Sequence, residues 1–368
     1  MLILLQSKLQ ISPLYGIIKN IIAKVEACNM EREKGLDFIR VCSIFGIVFY
    51  HFSCHSACKY PLFLSYANGG FGVTFVAVFF MLSGACLYKN YGNCQRISLK
   101  SFYFKRWKST LLPFYAVFLY CLLEKALING RLFYIPEARP ASLLLSLFGL
   151  DGYFLYKIPN YYCVGEWFLG AIVLIYAAYP VLQWFFNKSR GSILILFLIL
   201  FSVILKTDFF EIDFTRNLIT CLFSFTLGMW LIKNIRWFKT GPACAASILL
   251  SVISLTIPIP VLPNAKNWLF AACWFVALLN IGTYTGNHSG IHSVIERLSS
   301  LSYGIYLIHH VLILKVLSAW NPVEPLPAIL TLIGVIVLTI IFSAVLAVVI
   351  DAVETSRGFT ALNARFLR

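Results

Sequence analysis

Two ionisable residues, Arg40 and His51, lie within one long apolar segment near the start of the chain. Ionisable groups are costly inside a membrane and are therefore functional candidates by default. In a helix, eleven residues make three turns plus about 20°, so both side chains lie on one face, about 16.5 Å apart along the axis. Arginine suits an anionic group, whereas histidine suits proton transfer or transient covalent catalysis near neutral pH.

Each residue also has a purely structural interpretation. Arg40 lies about one turn inside the edge of the segment and could be an anchor that extends its charge to the membrane surface. His51 could be a core histidine that bonds to a neighbouring helix. Their shared face favours the functional interpretation of both.

The composition indicates that these residues are carried by membrane-spanning helices. Hydrophobic residues make up 60% of the 368-residue chain and charged residues 12%, whereas soluble domains have roughly 45–50% and ~25%. This excludes a cytosolic globular enzyme, a disordered chain and a disulfide-stapled secreted module. Long apolar runs, rather than alternating segments of about ten residues, favour helical spans over a barrel.

We predict an all-α, polytopic integral membrane protein with about ten transmembrane helices in one bundle. No linker divides the chain, so residues 30–368 form one predicted transmembrane domain. Residues 1–29, where apolar clusters alternate with lysines, are predicted to be an amphipathic or dispensable N-terminal extension. The predicted spans are 36–56, 70–88, 110–128, 165–185, 191–205, 217–232, 242–261, 268–284, 299–319 and 327–350.

The charge distribution predicts the orientation of the bundle. The chain has 30 Lys and Arg against 15 Asp and Glu, a net charge of +15. Most of the basic residues lie on the side that carries the N-terminus, and cytoplasmic loops collect Lys and Arg. We therefore expect the bilayer of the inner (cytoplasmic) membrane as a partner, both termini in the cytoplasm, and no nucleic acid.

The cysteines give little support for metal or redox chemistry. Most of the eleven lie inside apolar runs, where they act as small hydrophobes. His51, Cys54, His55 and Cys58 would share one helix face, and this spacing could bind a soft metal. Packing is the favoured interpretation of the two cysteines, so we predict no metal ligand.

Five motifs in order resemble acyltransferase family 3, membrane proteins that include O-acetyltransferases of lipopolysaccharide, capsule and peptidoglycan. Each motif alone is weak, but together they extend over about residues 35–350. The motifs are Gly35–Arg40 followed by His51, Gly69–Thr74 with Phe80–Gly84, Phe102–Lys108 up to Pro113–Phe114, Glu166–Leu169 with Tyr179–Pro180, and Leu301–His309.

The basic motif departs from the family pattern. Many members carry Arg-x-x-Arg before the third helix, whereas here Ser109 stands three residues after Arg106. Lys105 and Lys108 lie nearby and could supply the missing charge. Lysine is a point charge and cannot bind an anion through a bidentate fork.

The resemblance implies an acyl-CoA-dependent O-acyltransferase, with acetyl as the first expectation for the acyl group. The donor would be cytoplasmic acyl-CoA, used as a co-substrate rather than a bound cofactor. The acceptor would be a hydroxyl of a cell-surface polysaccharide or lipid-linked glycan. A polysaccharide exporter without chemistry remains the alternative.

The resemblance also implies roles for individual residues. His51 would be the general base or a transient acyl carrier. Because His310 points about 100° away from His309 on a helix, we expect only one of them to face a given site, and the motif selects His309. The expected donor-binding residues are Arg40, Lys105, Arg106 and Lys108, and the expected acceptor or supporting residues are Asp37, Glu166, Trp167, Ser302, Tyr306 and His309.

Overall fold

The computed structural model describes residues 32–367, apart from residues 69, 132–134, 136, 190, 208 and 257–262. The predicted N-terminal extension, residues 1–29, lies outside the described residues. The described part of the chain is helical and contains no β-strand. In chain order its helices are α1 (Lys34–His55), α2 (Pro61–Asn68), α3 (Phe71–Tyr91), α4 (Leu99–Arg106), α5 (Leu112–Asn129), α6 (Leu143–Leu147), α7 (Asp151–Phe154), α8 (Glu166–Lys188), α9 (Ile193–Ile204), α10 (Leu218–Lys233), α11 (Ile235–Phe238), α12 (Gly241–Thr256), α13 (Pro263–Thr285), α14 (Ser289–Ala319), α15 (Pro325–Thr355) and α16 (Arg357–Leu367).

The prediction of an all-α polytopic membrane protein is confirmed. Within the described residues, seven helices are long and apolar enough to cross a membrane. They are α1, α3, the continuous α4–α5 segment, α8, α13, α14 and α15. The shorter apolar helices α9, α10 and α12 account for the remaining predicted spans, so the ten apolar segments coincide with the ten predicted.

Two predicted boundaries are wrong, and both errors concern polar helix ends. The predicted basic loop before residue 110 is largely helical, because α4 begins at Leu99 and joins α5 through the π-helical turn Trp107–Leu111. Helix α14 begins at Ser289, ten residues before the predicted span. Hydropathy locates the apolar part of a helix and does not detect its extension into polar surroundings.

Helices α1 and α14 lie side by side and run in the same direction. Near the start of α1, the Ser299 hydroxyl of α14 donates to Asp37 at 2.6 Å. Toward its end, the rings of His51 and His310 lie 4.6 Å apart between centroids. We call these two regions the Arg40 end and the His51 end of the bundle.

Helices α3 and α10 cross at two glycines that face each other's backbone. A Cβ atom on Gly84 would lie 2.0 Å from the carbonyl oxygen of Phe225. A Cβ atom on Gly228 would lie 1.8 Å from the carbonyl oxygen of Met81. Only glycine permits such an approach, as is common where membrane helices pack closely.

We expect Gly228→Val to lower the amount of folded protein in the membrane at least tenfold. The added side chain meets backbone, which cannot move aside as a flexible side chain can, and overpacking typically costs ~1–3 kcal/mol or more. The matched control is Gly334→Val on α15, since nothing lies within 4 Å of a Cβ atom there. Fluorescence-detected size exclusion of tagged variants measures the effect. Equal monodisperse yields of the two variants would contradict the close crossing.

Candidate active site

One cavity of about 330 Å³ lies between α1, α3, α8, α14 and the α4–α5 junction. Arg40 and Arg106 line one part of it, and His51 lines another. The sequence-predicted residues that line it are Arg40, His51, Arg106, Glu166, Trp167, Ser302 and Tyr306. Asp37, Lys105, Lys108 and His309 lie outside its lining.

Hydrogen bonds fix the Arg40 side chain at its end of the cavity. Its Nη1 donates to the Ser299 hydroxyl at 3.2 Å, and its Nη2 donates to Cys86 Sγ at 3.4 Å. Ser299 in turn donates to Asp37, which also accepts from Arg32 Nε at 2.6 Å and Nη2 at 3.0 Å. Asp37 lies outside the cavity lining and holds Arg40 in place both through Ser299 and directly, with Arg40 Nη1 3.8 Å from Asp37 Oδ1.

Arg106 is a cation with unused hydrogen-bonding capacity. Its guanidinium lies 5.8 Å from the centroid of the Tyr176 ring. Its Nε atom is buried and has no hydrogen-bond partner among the described residues. The rest of the side chain is only partly buried and lines the cavity, so its guanidinium is suited to an anionic ligand there.

The two lysines beside Arg106 point elsewhere. Lys108 Nζ donates to Glu354 at 2.8 Å and thereby ties the π turn to α15. Lys105 is exposed and does not line the cavity. Of the three basic residues that the sequence grouped together, only Arg106 faces the cavity, because adjacent positions on this helical segment point in different directions.

The His51 ring is open to the cavity. It is half-buried, and no described residue hydrogen-bonds to its nitrogens. Its centroid lies 5.1 Å from that of His309 and 4.6 Å from that of His310. Neither of these two histidines lines the cavity, but both rings contact His51, because His51 lies against α14 between the directions in which they point.

The two histidines of α14 have different surroundings. His309 is fully buried, and its Nδ1 donates to the Tyr306 carbonyl at 2.7 Å. Its Nε2 has no partner among the described residues. His310 donates from Nδ1 to the Glu166 carboxylate, and its Nε2 lies 3.1 Å from His55 Nε2. Sequence reasoning did not select His310, although an acidic residue at the start of a span offered a possible partner.

Glu166 occupies a strained backbone position. Its φ of +39° is unusual for a residue with a side chain, and it follows Gly165 at +99°. The Tyr306 hydroxyl donates to the Gly165 carbonyl and accepts from the Leu169 amide at 3.1 Å. Strain of this kind persists where the surroundings enforce it, and it clusters at functional sites.

Tyr162, which precedes α8, completes the surroundings of the Glu166 carboxylate. Its hydroxyl donates to Oε1 at 2.8 Å. Burial and the neighbouring negative charge raise the pKa of Tyr162 far above its usual value. The phenol therefore remains a neutral donor and, together with His310, fixes the carboxylate at the His51 end of the cavity.

The arrangement suits an elongated molecule with an anionic end. Two arginines would bind the anionic part, and an imidazole about 16.5 Å further along α1 would meet the reactive part. Histidine there can accept a proton from a hydroxyl or act as a nucleophile.

A comparison with protein families matched most of the chain. A family model described as an acyltransferase domain matches residues 33–348, a range that contains every residue lining the cavity. The comparisons with curated proteins and with solved structures gave no match.

Proposed function

The chain belongs to acyltransferase family 3, and from this premise we propose that it is an acyl-CoA-dependent O-acyltransferase that modifies a glycan. The acyl donor is acyl-CoA, with acetyl-CoA the first candidate. The acceptor is a hydroxyl of a cell-surface polysaccharide or lipid-linked saccharide.

The observation that carries this proposal is that two arginines and His51 line the same cavity. CoA has phosphates at one end and a thioester at the end of an extended arm. Arg40 and Arg106 provide guanidinium groups for phosphate, which arginine binds through charge-assisted, often bidentate hydrogen bonds. The pantetheine arm then follows α1, and the thioester reaches His51.

Two reaction routes are consistent with this placement. In the first, a His51 ring nitrogen accepts the proton of the acceptor hydroxyl while its oxygen attacks the thioester carbonyl. The carbon–sulfur bond breaks, and the departing CoA thiolate takes the proton from His51. In the second, a neutral His51 nitrogen attacks the thioester carbonyl, the carbon–sulfur bond breaks and CoA departs as the thiolate. The acceptor oxygen then attacks the acyl group, the bond between that group and His51 breaks, and the hydroxyl proton passes to the thiolate.

We propose an orientation in which the Arg40 end faces the cytoplasm, where CoA is made. The excess of Lys and Arg on the side of the N-terminus supports it. The acceptor then enters from the His51 end. Trp167 lines the cavity there and provides an aromatic face for a sugar ring.

We expect His51→Gln to reduce acyl transfer at least a hundredfold, in the range typical of a lost general acid–base group. The matched control is His292→Gln on α14, which lies outside the cavity. Transfer of labelled acetyl from acetyl-CoA is measured in membranes with equal amounts of each protein, and glycan export is measured separately. Activity within a few-fold of wild type would make His51 structural. Acyl transfer that does not depend on this protein, together with glycan export that does, would favour the exporter.

We expect Arg106→Gln to raise the KM for acyl-CoA about tenfold with little change in the KM for the acceptor. Lys108→Gln should change both values less than twofold, because Lys108 is paired with Glu354 outside the cavity. Steady-state kinetics with each substrate varied in turn provides the measurement. Equal effects of the two substitutions on donor KM would show that general positive charge, and not the cavity position, binds the donor.

A further inference from the structure

Three histidines bring ring nitrogens close together at the His51 end. The nitrogens belong to His51, His55 and His310, and all three lie within 4.8 Å of one another. His55 lies one turn after His51 on α1, whereas His310 comes from α14. The parallel packing of these helices therefore assembles the group.

The spacing suits a small divalent ion. Zn²⁺ binds histidine nitrogen at ~2.0–2.1 Å, so two ligands of a tetrahedral site lie about 3.4 Å apart. The Nε2 atoms of His55 and His310 are 3.1 Å apart. The half-buried His51 ring can complete the set by rotating toward them.

Glu166 prepares His310 for this role. The hydrogen bond from His310 Nδ1 to the Glu166 carboxylate places the ring hydrogen on Nδ1. The lone pair then lies on Nε2, the atom that faces His55. A carboxylate that orients a histidine in this way is a common outer partner of metal-bound histidines.

We propose that a divalent transition ion of the Zn²⁺ class binds His51, His55 and His310 and thereby inhibits the protein. The inhibitory part rests on the proposed function, since a bound ion occupies the His51 lone pair that acyl transfer requires. His55 is exposed, so the ion enters at the His51 end. His55 carries its ring hydrogen on Nδ1 in the bound state, and a water molecule fills the fourth position.

This proposal replaces the sequence-based expectation of no metal ligand. That expectation considered His51 and His55 together with Cys54 and Cys58. In the structure Cys58 is buried, and neither cysteine belongs to the group of converging ligand atoms. His310 provides the third ligand instead. Because His310 belongs to α14, the spacing of residues along α1 could not reveal it.

Binding is tested with Co²⁺ as a spectroscopic probe on purified full-length protein in detergent. His288→Gln with His292→Gln forms the background protein, because these two histidines lie one turn apart at the start of α14 and could bind metal independently. We expect one equivalent of Co²⁺ to give visible absorption that Zn²⁺ abolishes. Adding His55→Ala should weaken Co²⁺ binding at least tenfold. His55→Cys should restore it with a new thiolate charge-transfer band, which shows that the fold is intact.

Inhibition is tested on the same proteins by titrating Zn²⁺ into the acyl-transfer assay. Activities are expressed relative to each variant without metal, and His55→Ala should need at least tenfold more Zn²⁺ for half inhibition. Unchanged Co²⁺ binding in His55→Ala would overturn the site, and Zn²⁺ that binds without inhibiting would overturn the inhibition. If Co²⁺ binds as expected but the metal-free protein shows no acyl transfer, the metal site is supported and the proposed function is refuted.

Discussion

The lateral contact between α1 and α14 determines where every other part of the site lies. At one end Ser299 bridges Asp37 and Arg40, and at the other end His310 lies against His51. A shift of either helix by one turn, ~5.4 Å, would break both sets of contacts. Because the two helices are parallel, a single alignment of α1 along α14 places the contacts at both the Arg40 end and the His51 end. Helices α3 and α8 and the α4–α5 junction pack against this helix pair and form the remaining walls of the cavity.

The burial of charge explains the polar network around the cavity. An unpaired ion in a low-dielectric interior is strongly unfavourable, so buried ions are paired and hydrogen-bonded. The buried Asp37 carboxylate is paired with the exposed Arg32 and lies 3.8 Å from Arg40 Nη1. The Glu166 carboxylate accepts hydrogen bonds from His310 and Tyr162. Arg106 has no acidic partner among the described residues. In the proposed function, the anionic part of the substrate would provide the negative charge that pairs with Arg106.

Sequence reasoning predicted the helical architecture well, because length and hydropathy are local properties of each segment. It also placed Arg40 and His51 on one face, since both lie on one helix. It did not separate Arg106 from Lys105 and Lys108, because that difference depends on neighbouring helices. His310 was set aside for the same reason: its partners Glu166 and His55 come from α8 and α1. Contacts between helices follow from packing, which a single sequence does not reveal.

In the proposed function, Arg40 and His51 serve the two ends of one donor along a shared helix face. The most direct measurement moves the arginine by one position, with Arg40→Ala combined with Val41→Arg, and determines acyl-CoA affinity in membranes with equal protein. The change keeps charge and depth nearly constant but rotates the guanidinium by about 100°. We predict a loss of donor affinity as large as that of Arg40→Ala alone. Wild-type affinity in the double variant would show that any positive charge at this end is sufficient, and would contradict the account.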